Sequence, residues 1–221
     1  MILAFVIAKQ SLAATLPTSD FQIWGNVTAM GPVSGKVRYW LEGQGRFGDD
    51  ASRLSQLLLR PGVGYVLNNS SSLWVGYAYI NTRFPFSSQN SDENRIWQQF
   101  LWVKDLSWGR LFSRTRLEQR FIDSVSTTGW RFRQFVRMQR PFKSNDRVFI
   151  ALADEVFVQL NNTSKQSSNR GFDQNRIFAG IGFLPNTNTL FEIGYQNQTI
   201  RRVNTLNYSG NYIASNLIFN F

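Results

Sequence analysis

At 221 residues, 43% hydrophobic and 17% charged, the chain is too apolar for a disordered segment, and it has no apolar run of the roughly 18 residues that a membrane-spanning helix needs. It contains neither Cys nor His, which removes disulfides, thiol nucleophiles, the usual imidazole general base and the common Cys/His metal sites. The net charge of +10 raises nucleic acid as a partner, but the arginines are spread along the whole chain rather than gathered in one helix or tail, so nucleic acid is not expected.

The chain opens with a short apolar stretch, Ile2 to Ala8, followed by the small residues of Ser11-Leu12-Ala13-Ala14 at cleavage spacing. No basic residue precedes the stretch and Lys9 follows it, so residues 1–14 read as an atypical signal peptide and 15–221 as a single domain. From Asp20 onward, runs of about ten residues alternate apolar with polar and end on turn signals, the pattern of a membrane-spanning β-barrel. The candidate strands are Phe21–Ala29, Lys36–Phe47, Leu54–Val66, Leu73–Phe84, Asn94–Leu106, Arg110–Ile122, Trp130–Pro141, Arg147–Leu160, Gln174–Leu184, Leu190–Ile200 and Tyr212–Phe221. High aromatic content, 15%, suits both pleated sheet and the aromatic girdles of membrane barrels.

The connections alternate in length. Asn68-Asn69-Ser70, Ser107-Trp108-Gly109, Lys143-Ser144-Asn145-Asp146 and Asn186-Thr187-Asn188 are tight. Between them lie the longer, polar Pro85–Glu93, Asp123–Gly129, Asn161–Gly171 and Arg201–Asn211. Short turns on one side and long loops on the other are the asymmetry expected of an outer-membrane barrel. Eleven segments conflict with the even strand number of bacterial barrels. Either Phe21–Ala29 is a lumen or plug segment on a ten-stranded barrel, or two strands are merged; the fold class is an antiparallel up-and-down transmembrane barrel of ten to twelve strands.

Period-two alternation assigns the faces. Arg38 and Glu42 oppose Val37, Tyr39 and Leu41, and Arg60 belongs with the first pair. Arg114, Arg116, Glu118 and Arg120 share a face; so do Arg131, Arg133 and Arg137. Glu155, Arg176 and Glu192 oppose apolar neighbours on the next three strands. In a membrane barrel this charged face turns inward, where each arginine needs a carboxylate or carbonyl partner. In a soluble sandwich or barrel the same face would be a solvated salt-bridge surface. The adjacent acids Asp92-Glu93 and Asp154-Glu155 point to opposite faces if both lie in strands, so no metal site is expected, and no catalytic residue or cofactor is assigned.

In Tyr212–Phe221 the alternate positions Ile213, Leu217, Phe219 and Phe221 are apolar. The pattern resembles the C-terminal signature by which outer-membrane barrels are recognised by their assembly machinery, with Phe219 and Phe221 as the signal. The stretches Asn94-Arg95-Ile96-Trp97-Gln98-Gln99, Arg114-x-Arg116-x-Glu118-x-Arg120-Phe121 and Phe172-Asp173-Gln174-Asn175-Arg176 resemble the recurrent motifs of the family known as domain of unknown function 2490. The resemblance spans Asp20 to Phe221 and implies an exported outer-membrane barrel without an assigned activity. The expected partners are therefore outer-membrane lipids and the barrel assembly machinery. The expected role is non-enzymatic, as a structural barrel or a narrow anion-favouring pore. The alternatives are an envelope- or lipid-interacting barrel acting through its long loops, and a soluble periplasmic barrel that binds an acidic ligand.

Overall fold

Each of the eleven alternating segments is a strand in the computed structural model, which describes residues 16–123, 125–163, 169–203 and 206–221. The signal peptide expected at 1–14 lies outside the described residues. In chain order the strands are β1 (Ser19–Ser34), β2 (Val37–Gly48), β3 (Arg53–Asn68), β4 (Ser71–Thr82), β5 (Ser91–Leu106), β6 (Gly109–Ile122), β7 (Gly129–Phe142), β8 (Asn145–Gln159), β9 (Gly171–Asn186), β10 (Thr189–Ile200) and β11 (Tyr208–Asn220). They are 12 to 16 residues long, more than the nine to eleven or so that a tilted strand needs to cross a bilayer core. Among the described residues there is no helix.

The strands close into one barrel in sequence order. Every neighbouring pair is antiparallel except β1 and β11, which pair in parallel from Ser19 opposite Ser209 to Met30 opposite Asn220. An odd number of meandering strands forces this, because the first and last then run the same way. The even-number expectation is thus corrected. Phe21–Ala29 is neither plug nor lumen segment; it is part of the wall, and no two strands were merged. At one end the connections are two residues each, at 35–36, 69–70, 107–108, 143–144 and 187–188. At the other they are longer: 49–52, 83–90, 123–128, 160–170 and 201–207. Strand β1 starts at the long-loop end, and β11 finishes at the short-turn end.

Outward positions form a nearly continuous apolar belt, with Ile23, Leu59, Val63, Val75, Ile177 and Ile193 all exposed. The polar side chains within the outer face bond to one another. Thr115 donates to Gln134 at 2.7 Å, Gln134 donates to Ser113 at 3.0 Å, and Gln98 and Gln119 exchange bonds of 3.1 and 3.0 Å. Such pairing lowers the cost of holding them in apolar surroundings. Inside the barrel, two aromatic clusters pack against inward-facing glycines. Trp40, Trp74 and Trp97 form one; Phe149, Phe178, Trp24 and Tyr212 belong to the other. A Cβ at Gly76 would sit 2.4 Å from the Trp97 ring, and one at Gly182 only 2.0 Å from Phe149. Glycine is what lets each ring lie flat on the wall.

Two measurements check this architecture. The chain has no native Cys, so Val27→Cys with Leu217→Cys, opposite each other across the parallel seam, should be bridged by a short thiol cross-linker in the folded protein. A β1 lodged in the lumen would leave the pair unbridged. Gly182→Val should lower stability by about 1–3 kcal/mol or more by overpacking Phe149, read as an earlier midpoint in urea unfolding.

Candidate functional site: the arginine-rich lumen

Because side chains alternate, the even-numbered residues of β6 from Phe112 onward and the odd-numbered residues of β7 point inward, with Arg110 exposed at the rim. Two adjacent strands therefore deliver Arg114, Arg116, Arg120, Arg131, Arg133 and Arg137 to the same interior wall. Glu118 sits among them and is almost fully buried. It accepts from Arg131 at 2.7 Å and from Arg133 at 2.6 Å, with Arg95 at 3.7 Å and Arg116 at 3.9 Å. Glu155 on β8 takes Arg133 at 2.7 Å and Arg114 at 2.8 Å, with Arg176 at 3.8 Å. Glu93 holds Arg95 at 2.7 Å and Arg120 at 2.5 Å. Glu42 pairs with Arg60 at 2.6 Å, and Glu192 pairs with Arg137. Arg116 directs two of its nitrogens at Gln99, at 3.0 and 2.5 Å, and lies over Trp97.

Among the described residues the lumen wall carries ten arginines and five glutamates, with Asp20 and Asp173 at the long-loop mouth. The interior keeps an excess of positive charge after all pairs are made. Between the side chains lies a cavity of about 550 Å³. Its lining runs from Met30, Leu101 and Ile218 toward the short-turn end up to Phe86 and Ser87 of the 83–90 connection. That connection folds into the mouth, since Pro85 is among the most buried residues.

The expected lumen residues Glu42, Arg60, Arg114, Arg116, Glu118, Arg120, Arg131, Arg133, Arg137, Glu155, Arg176 and Glu192 all face the interior and interact there. Arg38 is placed differently. It lies at the short-turn rim, where it donates to Asn220 at 3.0 Å and to the Phe221 carbonyl at 2.7 Å. The alternation had the right face, but Arg38 is too near the strand end to reach the cavity. Three charged lumen residues lie outside the expected set: Arg46, Glu93 and Arg95. Glu93 closes the polar Pro85–Glu93 stretch yet continues the period of Arg95 and Trp97; Arg46 continues Glu42 and Gln44 beyond two glycines. The acid pairs split between faces: Asp92 bonds Tyr79 and Asn81 on the outside while Glu93 points in, and Asp154 bonds Asn175 outside while Glu155 points in. Phe219 lies on the outer side of β11, and the Phe221 amide donates to the Met30 carbonyl at 2.9 Å.

Apolar outside, ion-paired and basic inside, this is a closed β-barrel with the polarity of a membrane barrel rather than of a soluble one. A family model described as "Protein of unknown function (DUF2490)" matches residues 21–209, and the chain belongs to that family. An uncharacterized protein of Methylorubrum extorquens is 35% identical over 198 residues, which is 89% of this chain and 86% of that protein. Among solved structures the chain is similar to LpxR from Salmonella typhimurium, with 6% identity, a TM-score of 0.44, and 80% of this chain and 82% of that one covered. It is similar as well to the siderophore receptor PirA from Pseudomonas aeruginosa, with 9% identity, a TM-score of 0.33, and coverage of 76% and 32%.

The lattice makes unequal demands on its acids. Glu118→Gln should cost about 3–5 kcal/mol, because it leaves several buried guanidiniums uncompensated. Glu42→Gln, which strands Arg60 alone, should cost less. The difference is read from urea midpoints of the two variants.

Proposed function

We propose that the protein is an outer-membrane β-barrel that provides a narrow, anion-favouring passage and performs no chemistry of its own. The observation that carries this reading is the ratio of ten inward arginines to five inward glutamates. Fixed positive charge in a low-dielectric tube attracts anions and repels cations. Placement in the outer membrane is supported by strand length, by the apolar outer belt and by the division into short turns and long loops. The proposed partners follow from that placement: outer-membrane lipids against the belt, and the barrel assembly machinery, which would read the β11 pattern ending in Phe219 and Phe221. A second reading, a closed structural barrel, is favoured by the two aromatic clusters and the inserted 83–90 connection, which fill much of the interior.

After cell fractionation the protein should remain with the outer membrane through a carbonate wash, and it should migrate differently on gels before and after boiling. In planar bilayers under a KCl gradient, the reversal potential should report anion preference. Cation preference would overturn the passage, and absence of conductance would leave the structural barrel. Phe221→Asp should lower the yield of folded, membrane-inserted protein severalfold relative to a loop substitution such as Ser87→Asp.

A further inference from the structure

Most lumen arginines are held by glutamates, and the exceptions differ in what surrounds them. Arg116 is 3.9 Å from Glu118, directs Nε and Nη2 at Gln99, lies over Trp97 and does not line the cavity. Arg176 lies 3.8 Å from Glu155 Oε2, while Arg133 and Arg114 bond the other oxygen of that carboxylate. Arg46 has no carboxylate within 4.0 Å among the described residues. It donates only to the neutral carbonyl oxygens of Gln44 and of Gln56, the latter at 2.6 Å. Arg46 and Arg176 both line the cavity, and they share one indole. Their guanidinium carbons lie 3.8 and 5.1 Å from the ring centroid of Trp24. Tyr212 stacks on Trp24 with centroids 4.2 Å apart and fixes the ring. Both guanidiniums are thus anchored on Trp24, Arg46 with no carboxylate within 4.0 Å and Arg176 with Glu155 only at 3.8 Å.

The surroundings on the cavity side are apolar. Phe178 and Ala214 belong to the same packed cluster as Trp24, Ala153 packs against it, and all three line the cavity. The alanines leave room where larger side chains would fill the wall. We propose that this corner binds an amphipathic anion, with a carboxylate or phosphate headgroup between Arg46 and Arg176 and a short apolar chain along Phe178, Ala153 and Ala214. Two guanidiniums can each present a pair of N–H donors to such a headgroup, and the headgroup supplies the charge that the lattice lacks. The proposal rests on the lumen being open to solutes, as the passage reading also does. It further requires a saturable site, which a passage does not.

The test is calorimetric titration of the detergent-solubilised barrel with octanoate, acetate, inorganic phosphate and octanol. Octanoate should bind saturably, acetate and phosphate at least tenfold more weakly, and octanol without saturation. Arg46→Gln with Arg176→Gln should weaken octanoate binding at least tenfold, while Arg110→Gln, at the exposed rim, leaves it unchanged. Folding of each variant is verified by its gel shift on boiling. If the double variant fails that check, Arg46→Gln alone is titrated and should show at least a threefold loss. Several results would overturn the site: no saturable octanoate binding to the native protein, equal binding of octanol, equal binding of acetate or phosphate, or unchanged binding in the folded arginine variant. An anion-selective reversal potential together with any of these would sink the site and leave the passage standing; saturable, Arg46-dependent binding in a barrel that does not conduct would do the reverse.

Discussion

Ten guanidiniums cannot share a lumen of this width unless carboxylates stand between them, and that electrostatic constraint organises the interior. Glu93, Glu118 and Glu155 sit on β5, β6 and β8, and each bridges at least two arginines drawn from its own or nearby strands. Most of the bridges run across the ladder, with Glu93–Arg95 along β5 an exception, so they penalise any slip in register. A one-residue shift of β7 would turn Arg131 and Arg133 out toward the apolar belt and Phe132 and Gln134 into the lattice. A buried ion pair adds little net stability over an apolar pair of similar size. Its contribution here is to specify alignment among strands whose outer faces all look alike.

The lattice is concentrated on β5 to β9, whereas β1 to β4 carry only the Glu42–Arg60 pair and Arg46. On that sparser side, tryptophans seated on glycines take up the space that ion pairs occupy elsewhere. The interior is thus filled by two different means, and the cavity survives where they meet. Its chemistry follows from that boundary: unneutralised guanidinium on one side, aromatic and alanine surface on the other. A uniformly ion-paired lumen would be closed, and a uniformly apolar one would have no attraction for an anion.

Closure through a parallel seam has a consequence for the ends of the barrel. With an odd strand number, β1 begins at the long-loop mouth and β11 finishes at the short-turn mouth. Both mouths are secured by contacts that span the seam. At one, Gln22 of β1 donates to the Tyr208 hydroxyl of β11 at 2.8 Å, and Arg202 donates to the Pro17 carbonyl at 2.8 Å. At the other, Arg38 reaches over β1 to the end of β11. The weaker per-residue pairing of parallel strands is thereby supported at each end by polar contacts, where fraying would start.

Strand limits within a few residues, the inner and outer faces and the loop asymmetry were legible in the chain, because a period of two is a local property that backbone geometry imposes on every residue of a strand; eleven segments could be counted, but not that all eleven join the wall. Arg114-x-Arg116-x-Glu118-x-Arg120 could not point any other way relative to Leu117 and Phe121. What the sequence could not decide is what depends on residues distant along the chain. The parallel pairing of β1 with β11 joins residues nearly 200 positions apart, and strand order alone determines it. Which arginine meets which glutamate depends on register: Glu155 serves Arg114 from two strands away, and Arg137 reaches past β8 and β9 to Glu192 on β10. Arg46 and Arg176 look like their neighbours in the sequence. Only barrel closure, by bringing Trp24 and Tyr212 together between them and leaving no carboxylate within reach of Arg46, makes that pair different from the rest.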